Sequence, residues 1–139
     1  MKKAEIIENL RHAVYARLMP SPIAGVGIFA IRDIPAGINP FGEYKMGFAK
    51  FRVSEIREDP QIPDAVKKYV EDMCATSGGY IYLPSSGINN IHLDFFFNHS
   101  KNPNMRVDEN ELNFITLRRI KTGEELTVDY DTYNDEVIL

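Results

Sequence analysis

The stretch "FFFNHSKNPN", Phe95 to Asn104, drives three phenylalanines into Asn98, His99 and Ser100 and then places asparagine on both sides of Pro103. Three chemistries fit such a polar knot: glycosylation at "NHS", a histidine acting as general base, or a clasp for a flat ligand. A catalytic His99 needs a nucleophile in reach and a carboxylate to orient it. Ser100 is its chain neighbour, and neighbouring side chains of an extended chain point to opposite faces, so no local triad can be read. The clasp asks less. Backbone and amide groups at Asn98 and His99 can pair with the edge of a heteroaromatic ring while Phe95, Phe96 and Phe97 anchor them to the core. A satisfied polar turn with no ligand accounts for the same letters about as well.

Two other segments carry chemistry-bearing residues. "GVGIFA", Gly25 to Ala30, matches the dinucleotide fingerprint with alanine in last place. That fingerprint must open a helix, whereas the following "IFAIRDIPAG" is β-branched and soon meets Pro35 and Gly37. The glycines therefore mark a close backbone approach, to a neighbouring strand or to a ligand, with the strand somewhat favoured on this segment alone. "GEELTVDY", Gly123 to Tyr130, alternates, with Leu126 and Val128 on one face and Glu125, Thr127 and Asp129 on the other. A tyrosine closing such a strand is ordinarily core plus one hydrogen bond. Asp94, His99 and Asp129 could serve a metal-assisted hydrolase, but their spacing matches no specific ligand pattern. His12, His92 and His99 are scattered and Cys74 is the one cysteine, a poor basis for a closed zinc site.

The elements that must position these residues belong to a chain of 139 residues, the size of one domain with its own core. The formal net charge of −4 offers no basic patch for phosphates, so nucleic acid is not expected as the primary ligand, and cationic partners are mildly favoured. One cysteine excludes an internal disulfide, and its helix-like surroundings predict a buried thiol. The start "MKKAEIIENLRHAVYARL" is interrupted by Glu5, Glu8 and Arg11, so it lacks a signal peptide's apolar core, and no run approaches membrane-spanning length. An intracellular location is expected, in cytoplasm or nucleus, and glycosylation of "NHS" is then set aside.

Ile6, Ile7, Leu10 and Val14 recur at helical spacing and predict a packed N-terminal helix before a strand in "VYARLMP". Short strands are predicted in "GIFAIRDI", "GINPFGEY" and "GYIYLP", each bounded by turn formers. "PDAVKKYVEDMCA" reads as a helix with Pro63 in its first turn and Val66, Tyr69, Val70 and Met73 on one face, with a further turn in Val53 to Arg57. "NFITLRRI" and "EELTVDY" are strands joined by the turn "KTGE".

Taken together and in this order, "GVGIFAIRDIPAG", "FFFNHSKNPNM" and "GEELTVDY" resemble the signature of the SET-domain protein lysine methyltransferases, from about Pro20 to Tyr130. The resemblance implies a mostly β fold of small sheets with short helices and a C-terminal pseudoknot. Residues 1–19 would be an N-terminal helix and lead-in strand, 54–76 a helical insert, and 95–130 the knot and active-site segment of a single domain spanning 1–139. It implies S-adenosylmethionine as cofactor and no metal. Gly25, Val26 and Gly27 would approach the methionine part of the cofactor, glycines because a Cβ would collide with it. Asn98 and His99 would hold the adenine, and Pro103 and Asn104 would shape the exit of the knot. Tyr130 would border the cofactor and orient the lysine amine. A second tyrosine would be Tyr80 or Tyr82, with Tyr82 preferred.

The implied partner is a lysine-bearing protein or peptide, a histone tail among the candidates, with no membrane. Relatives often close the lysine channel with a cysteine-rich flank after the tyrosine. Here "DTYNDEVIL" follows, leaving Tyr133, acidic residues or a second copy of the chain in a homodimer for that task. Val128 stands where relatives commonly carry Phe or Tyr that influences how many methyls are added, and "SK" replaces their "SC". The alternative is a catalytically silent SET-fold module that binds peptides or partners; its mark would be loss of the "NHS" or "DY" residues, and both are present.

Overall fold

A computed structural model of the chain describes residues 1–42, 47–108 and 113–132. Short strands in small sheets dominate, with few short helices. The chain divides into two compact units, Met1–Tyr44 with Phe96–Asp129, and Lys45–Phe95 with Tyr130–Leu139.

In the first unit, helix α1 (Lys3–His12) has Glu5 in its first turn and Arg11 and His12 in its last, the signs that suit the helix dipole. It buries none of its residues: Ile6, Ile7 and Leu10 are exposed, so the helix forms as expected but its apolar face is not packed. Strands β1 (Ala16–Pro20) and β2 (Val26–Ala30) pair antiparallel, Ala16 facing Ala30 and Pro20 facing Val26. Pro20 is tolerated because β1 is an edge strand. The loop between them closes when Ser21 N donates to Gly25 O at 2.9 Å, and Gly25 adopts φ +48°, where glycine is favoured.

The short strand β6 (Asn98–His99) and the late strand β9 (Glu125–Val128) complete a sheet of order β1-β2-β9-β6, β9 running antiparallel to β2 and parallel to β6. This pairing inserts the end of the chain between its beginning and the asparagine-histidine segment. Ile28, Ala30, Leu126 and Val128 on one face are almost fully buried, as are Ile34, Phe97, Met105 and Ile120 elsewhere in the unit. Strands β7 (Met105–Asp108) and β8 (Asn113–Thr116) form a separate antiparallel pair.

Several expectations change at the level of elements. "GINPFGEY" forms no strand over its described residues; Gly37 and Ile38 instead exchange hydrogen bonds with Thr116 as a turn, and residues 43 and 44 lie outside the described residues. "KTGE" is a turn, Glu124 N donating to Lys121 O at 3.0 Å, but the strands beside it belong to different sheets and do not pair as a hairpin. That turn is fastened by Asp33, which accepts from Thr122 N at 2.9 Å and from the Thr122 hydroxyl at 3.0 Å and pairs with Arg119.

The Thr122 backbone bond, the Arg119 guanidinium and the Thr122 hydroxyl hold the Asp33 carboxyl down at about 2, below its ordinary 3.8. A depressed carboxylate contributes stability that is fully present above its unfolded value and is lost as pH falls through its folded one. Stability measured by urea unfolding is therefore expected to drop between about pH 4 and about pH 2 in the wild type, with a shallower drop in Asp33→Asn. Equal slopes would remove Asp33 from the acid response.

In the second unit, strand β3 (Phe48–Arg52) pairs with β5 (Tyr80–Pro84), which also carries the two-residue strand β4 (Thr76–Ser77). Helix α2 (Val53–Arg57) starts with the Glu55 carboxylate accepting from Arg52 N at 2.7 Å. Pro63 caps helix α3 (Asp64–Met73), where its missing N–H costs nothing. Arg57 pairs with Glu71 at 2.5 Å and Lys67 Nζ donates to Arg57 O at 2.7 Å, tying the two helices together.

The core of this unit gathers Val53, Val70, Cys74 and Ile81, with Phe51, Met73, Leu83 and Phe95 against it. The apolar face of α3 is thus carried by Val70 and Met73, whereas Val66 and Tyr69 are exposed. Burial pushes the Cys74 thiol up to about 11, so it behaves as a small core hydrophobe. Among the described residues no helix is long and apolar enough to cross a membrane.

Candidate functional site

The register of the first sheet determines which side chains share a face. Phe29 stands opposite Glu125 and Asn98 opposite Thr127, so Gly27, Glu125 and Asn98 project from the face opposite the Ile28–Leu126 core. Asn98 is nine-tenths buried, and its Nδ2 lies 2.8 Å from Glu125 Oε2, 3.1 Å from Ala24 O and 3.2 Å from Val26 O. Two N–H groups are thus shared among three acceptors. The other carboxylate oxygen, Glu125 Oε1, accepts from the Ser21 hydroxyl at 2.7 Å, and Ser21 Oγ in turn accepts from Ile23 N at 3.0 Å. One asparagine and one glutamate thereby hold the whole loop from Ser21 to Gly27 against β6 and β9.

The two glycines now have different reasons. A Cβ on Gly27 would lie 2.8 Å from Glu125 Cδ and 3.0 Å from Asn98 Nδ2, so the missing side chain makes room for the Glu125 carboxylate, a group of the protein itself. This collision is with the protein itself, where the sequence reading anticipated one with a cofactor. Gly25 meets nothing within 4 Å and is required by its positive φ instead. The open space above Gly25 leaves backbone that a ligand can approach.

Asn104, 4% exposed, pairs with β9 as a strand would: its Nδ2 donates to Glu125 O at 2.8 Å and its Oδ1 accepts from Thr127 N at 2.9 Å. Its backbone carbonyl accepts from Leu117 N. His99, beside Val128 in the parallel pairing, places Nδ1 3.8 Å from Asp129 Oδ1, an ion-pair distance longer than a hydrogen bond. Lys101 Nζ lies 3.6 Å from the same oxygen.

The phenylalanine run does not form one anchor. Leu93–Phe96 is a 3-10 turn, in which successive side chains fan out at about a third of a circle instead of alternating. Phe97 is buried in the first unit against Phe114 and Phe41, with ring centroids at 4.5 and 5.8 Å. Phe95 packs in the second unit's core and stacks on Phe48 at 6.5 Å.

The first unit therefore brings together Gly25, Val26, Gly27 and Asn98 and sets His99 next in line on β6. The tyrosines belong to the second unit. Tyr80 and Tyr82 are half-buried on β5, and Lys50 Nζ sits 4.1 Å from the centroid of the Tyr80 ring. Tyr130 is half-buried and opens the 3-10 turn Tyr130–Thr132. Tyr133 lies outside the described residues. A depression of about 460 Å³ in the second unit, lined by Ser54, Glu55, Glu58, Asp59, Pro60 and Gln61, contains none of the residues anticipated from sequence. Among the described residues no group of three or more His, Cys, Asp or Glu is arranged to hold a metal ion, Asp94, His99 and Asp129 included.

A family model described as the SET domain matches residues 25–131, which takes in all three motif segments. The chain belongs to the SET-domain family. SET domains are generally protein-lysine methyltransferases and generally use S-adenosylmethionine. A comparison with curated proteins returns no match. Among solved structures, a candidate histone methyltransferase of Plasmodium falciparum is similar, at 16% identity over 84% of this chain and 92% of that chain, with a TM-score of 0.47. In this SET domain, Gly25, Gly27 and Asn98, singled out from the sequence, are joined by Glu125 and Ser21, which sequence reasoning did not single out. The alternation of "EELTVDY" had put Glu125 on the polar face, and only the register shows that this face is occupied by Gly27 and Asn98.

Proposed function

We propose that this SET domain moves a methyl group from S-adenosylmethionine to the side-chain amine of a protein lysine. The observation that carries the reading is the Asn98–Glu125 lock on the glycine loop, which presents open backbone at Gly25 beside a rigid polar face. Residues of this kind suit the cofactor: Gly25, Val26 and Gly27 would lie along its methionine part, and Asn98 and His99 would border the rest. When bound, S-adenosylmethionine supplies an electrophilic methyl on a sulfonium.

The protein's own task is to deliver a neutral amine in line. An unperturbed lysine, with a pKa of about 10.4, is only about one part in a few thousand neutral at pH 7. Desolvation in an apolar channel beside a cation lowers that pKa, and a phenol hydroxyl can orient the amine without being a strong base. Tyr130 takes that role in this proposal. Tyr82 is its companion, since the face of the Tyr80 ring is already covered by Lys50. The substrate is a lysine-bearing protein or peptide inside the cell, a histone tail among the candidates.

The proposal predicts the pH dependence of turnover. Without a base titrating near neutrality, the rate climbs with the neutral amine fraction and is still rising above about pH 8, in the wild type and in His99→Gln alike. A plateau just above neutrality that disappears in His99→Gln, with cofactor affinity kept, would make His99 the base and overturn the assignment.

A further inference from the structure

Glu125 differs from the acidic residues on either side of it. Glu124 pairs with Arg118 at 2.9 Å, and Asp129 lies 3.6 Å from Lys101. Glu125 is half-buried and is held by two uncharged donors, the Ser21 hydroxyl and the Asn98 amide; among the described residues no lysine or arginine forms an ion pair with it. The nearest cation by register on that face is Arg17, opposite Phe29 and hence two strands away, about 10 Å at the usual strand spacing. A half-buried carboxylate is costly to keep without a counter-charge. Here the fold goes further: it omits a side chain at Gly27 to seat the carboxylate against the glycine loop and orients both of its oxygens.

We propose that Glu125 is the anionic wall of the cofactor site and makes it selective for a cationic ligand, favouring S-adenosylmethionine, a sulfonium, over S-adenosylhomocysteine, the neutral thioether left after transfer. The inference rests on the cofactor reading given above. Its consequence is directional. The negative charge attracts the donor before the methyl leaves and stops holding the product once the sulfur is neutral, so the same residue aids loading and release. Both ligands carry the same ammonium and carboxylate, and the ratio of their affinities therefore isolates the sulfonium.

The experiment is calorimetric titration of the wild type, Glu125→Gln and Glu124→Gln with both ligands, and of the wild type with an analogue bearing an amine in place of the sulfonium. Glutamine keeps the shape and can still accept from Asn98 and donate to Ser21, so it removes the charge and little else. The preference for S-adenosylmethionine over S-adenosylhomocysteine is expected to shrink by about tenfold in Glu125→Gln and to be unchanged in Glu124→Gln, which removes the neighbouring charge paired with Arg118. Equal losses for both ligands in Glu125→Gln would make Glu125 a purely structural strut and overturn the inference. Should Glu125→Gln fail to fold, the wild type still decides: S-adenosylhomocysteine binding as tightly as both cationic ligands overturns it. A wild type that binds none of the three ligands removes the cofactor reading itself, a distinct result.

Discussion

Tyr130→Phe should leave S-adenosylmethionine affinity within about twofold of the wild type while lowering turnover by about a hundredfold, the scale of loss when a reacting group is no longer aligned. The change removes one oxygen. Tyr130 is half-buried at the start of the Tyr130–Thr132 turn, and phenylalanine preserves the ring and its packing. The hydroxyl is wanted when the amine attacks and not in the resting complex, so the loss falls on kcat. Calorimetry and single-turnover rates on the same preparation separate the two quantities. Turnover unchanged in Tyr130→Phe would move the orienting role to another residue, with Tyr82→Phe the next variant to measure.

Asn98→Ala should act in the opposite sense. It strips the donor shared by Ala24 O, Val26 O and Glu125 Oε2, leaving buried acceptors without it, and a loss of about 1 to 3 kcal/mol in folding stability is expected. The Ser21–Gly27 loop then keeps its own turn bonds, the β1 pairing of Val26 and Gly27 and the Ser21–Glu125 contact but loses its tie to β6, so cofactor affinity should fall by about tenfold or more. A folded Asn98→Ala variant with wild-type stability and wild-type affinity would dissociate the lock from the cofactor site.

How far the sequence could be read depended on whether the determining contact is local. The strand character of "GVGIFA" was legible because β-branched residues, Pro35 and Gly37 act within a few positions, and β2 starts at Val26 accordingly. The helices at Lys3–His12, Val53–Arg57 and Asp64–Met73 were legible for the same reason. Which faces they bury was not. Ile6, Ile7 and Leu10 have helical spacing yet stay exposed, because spacing specifies a face and not its neighbour.

The misreading of "FFF" has a similar origin. Phe95 lies in the 3-10 turn and packs in the second unit, while Phe97, just past that turn, is buried in the first, whereas the sequence reading had them as one anchor. Glu125 was hidden by sequence distance: its partners Ser21 and Asn98 lie 104 and 27 residues away, and no periodicity links them. Asn104 was noticed, but its imitation of a neighbouring strand on β9 depends on a pairing that only the fold supplies.

The central claim is that this chain methylates protein lysine. The most direct measurement is to incubate it with a methyl-labelled donor and a lysate of the source cell, hydrolyse the labelled protein and identify the labelled amino acid. The account predicts label recovered as methyllysine with the wild type and almost none with Tyr130→Phe. Tight donor binding by the wild type with no labelled lysine in any protein would contradict it and make the chain a catalytically silent SET-fold binding module.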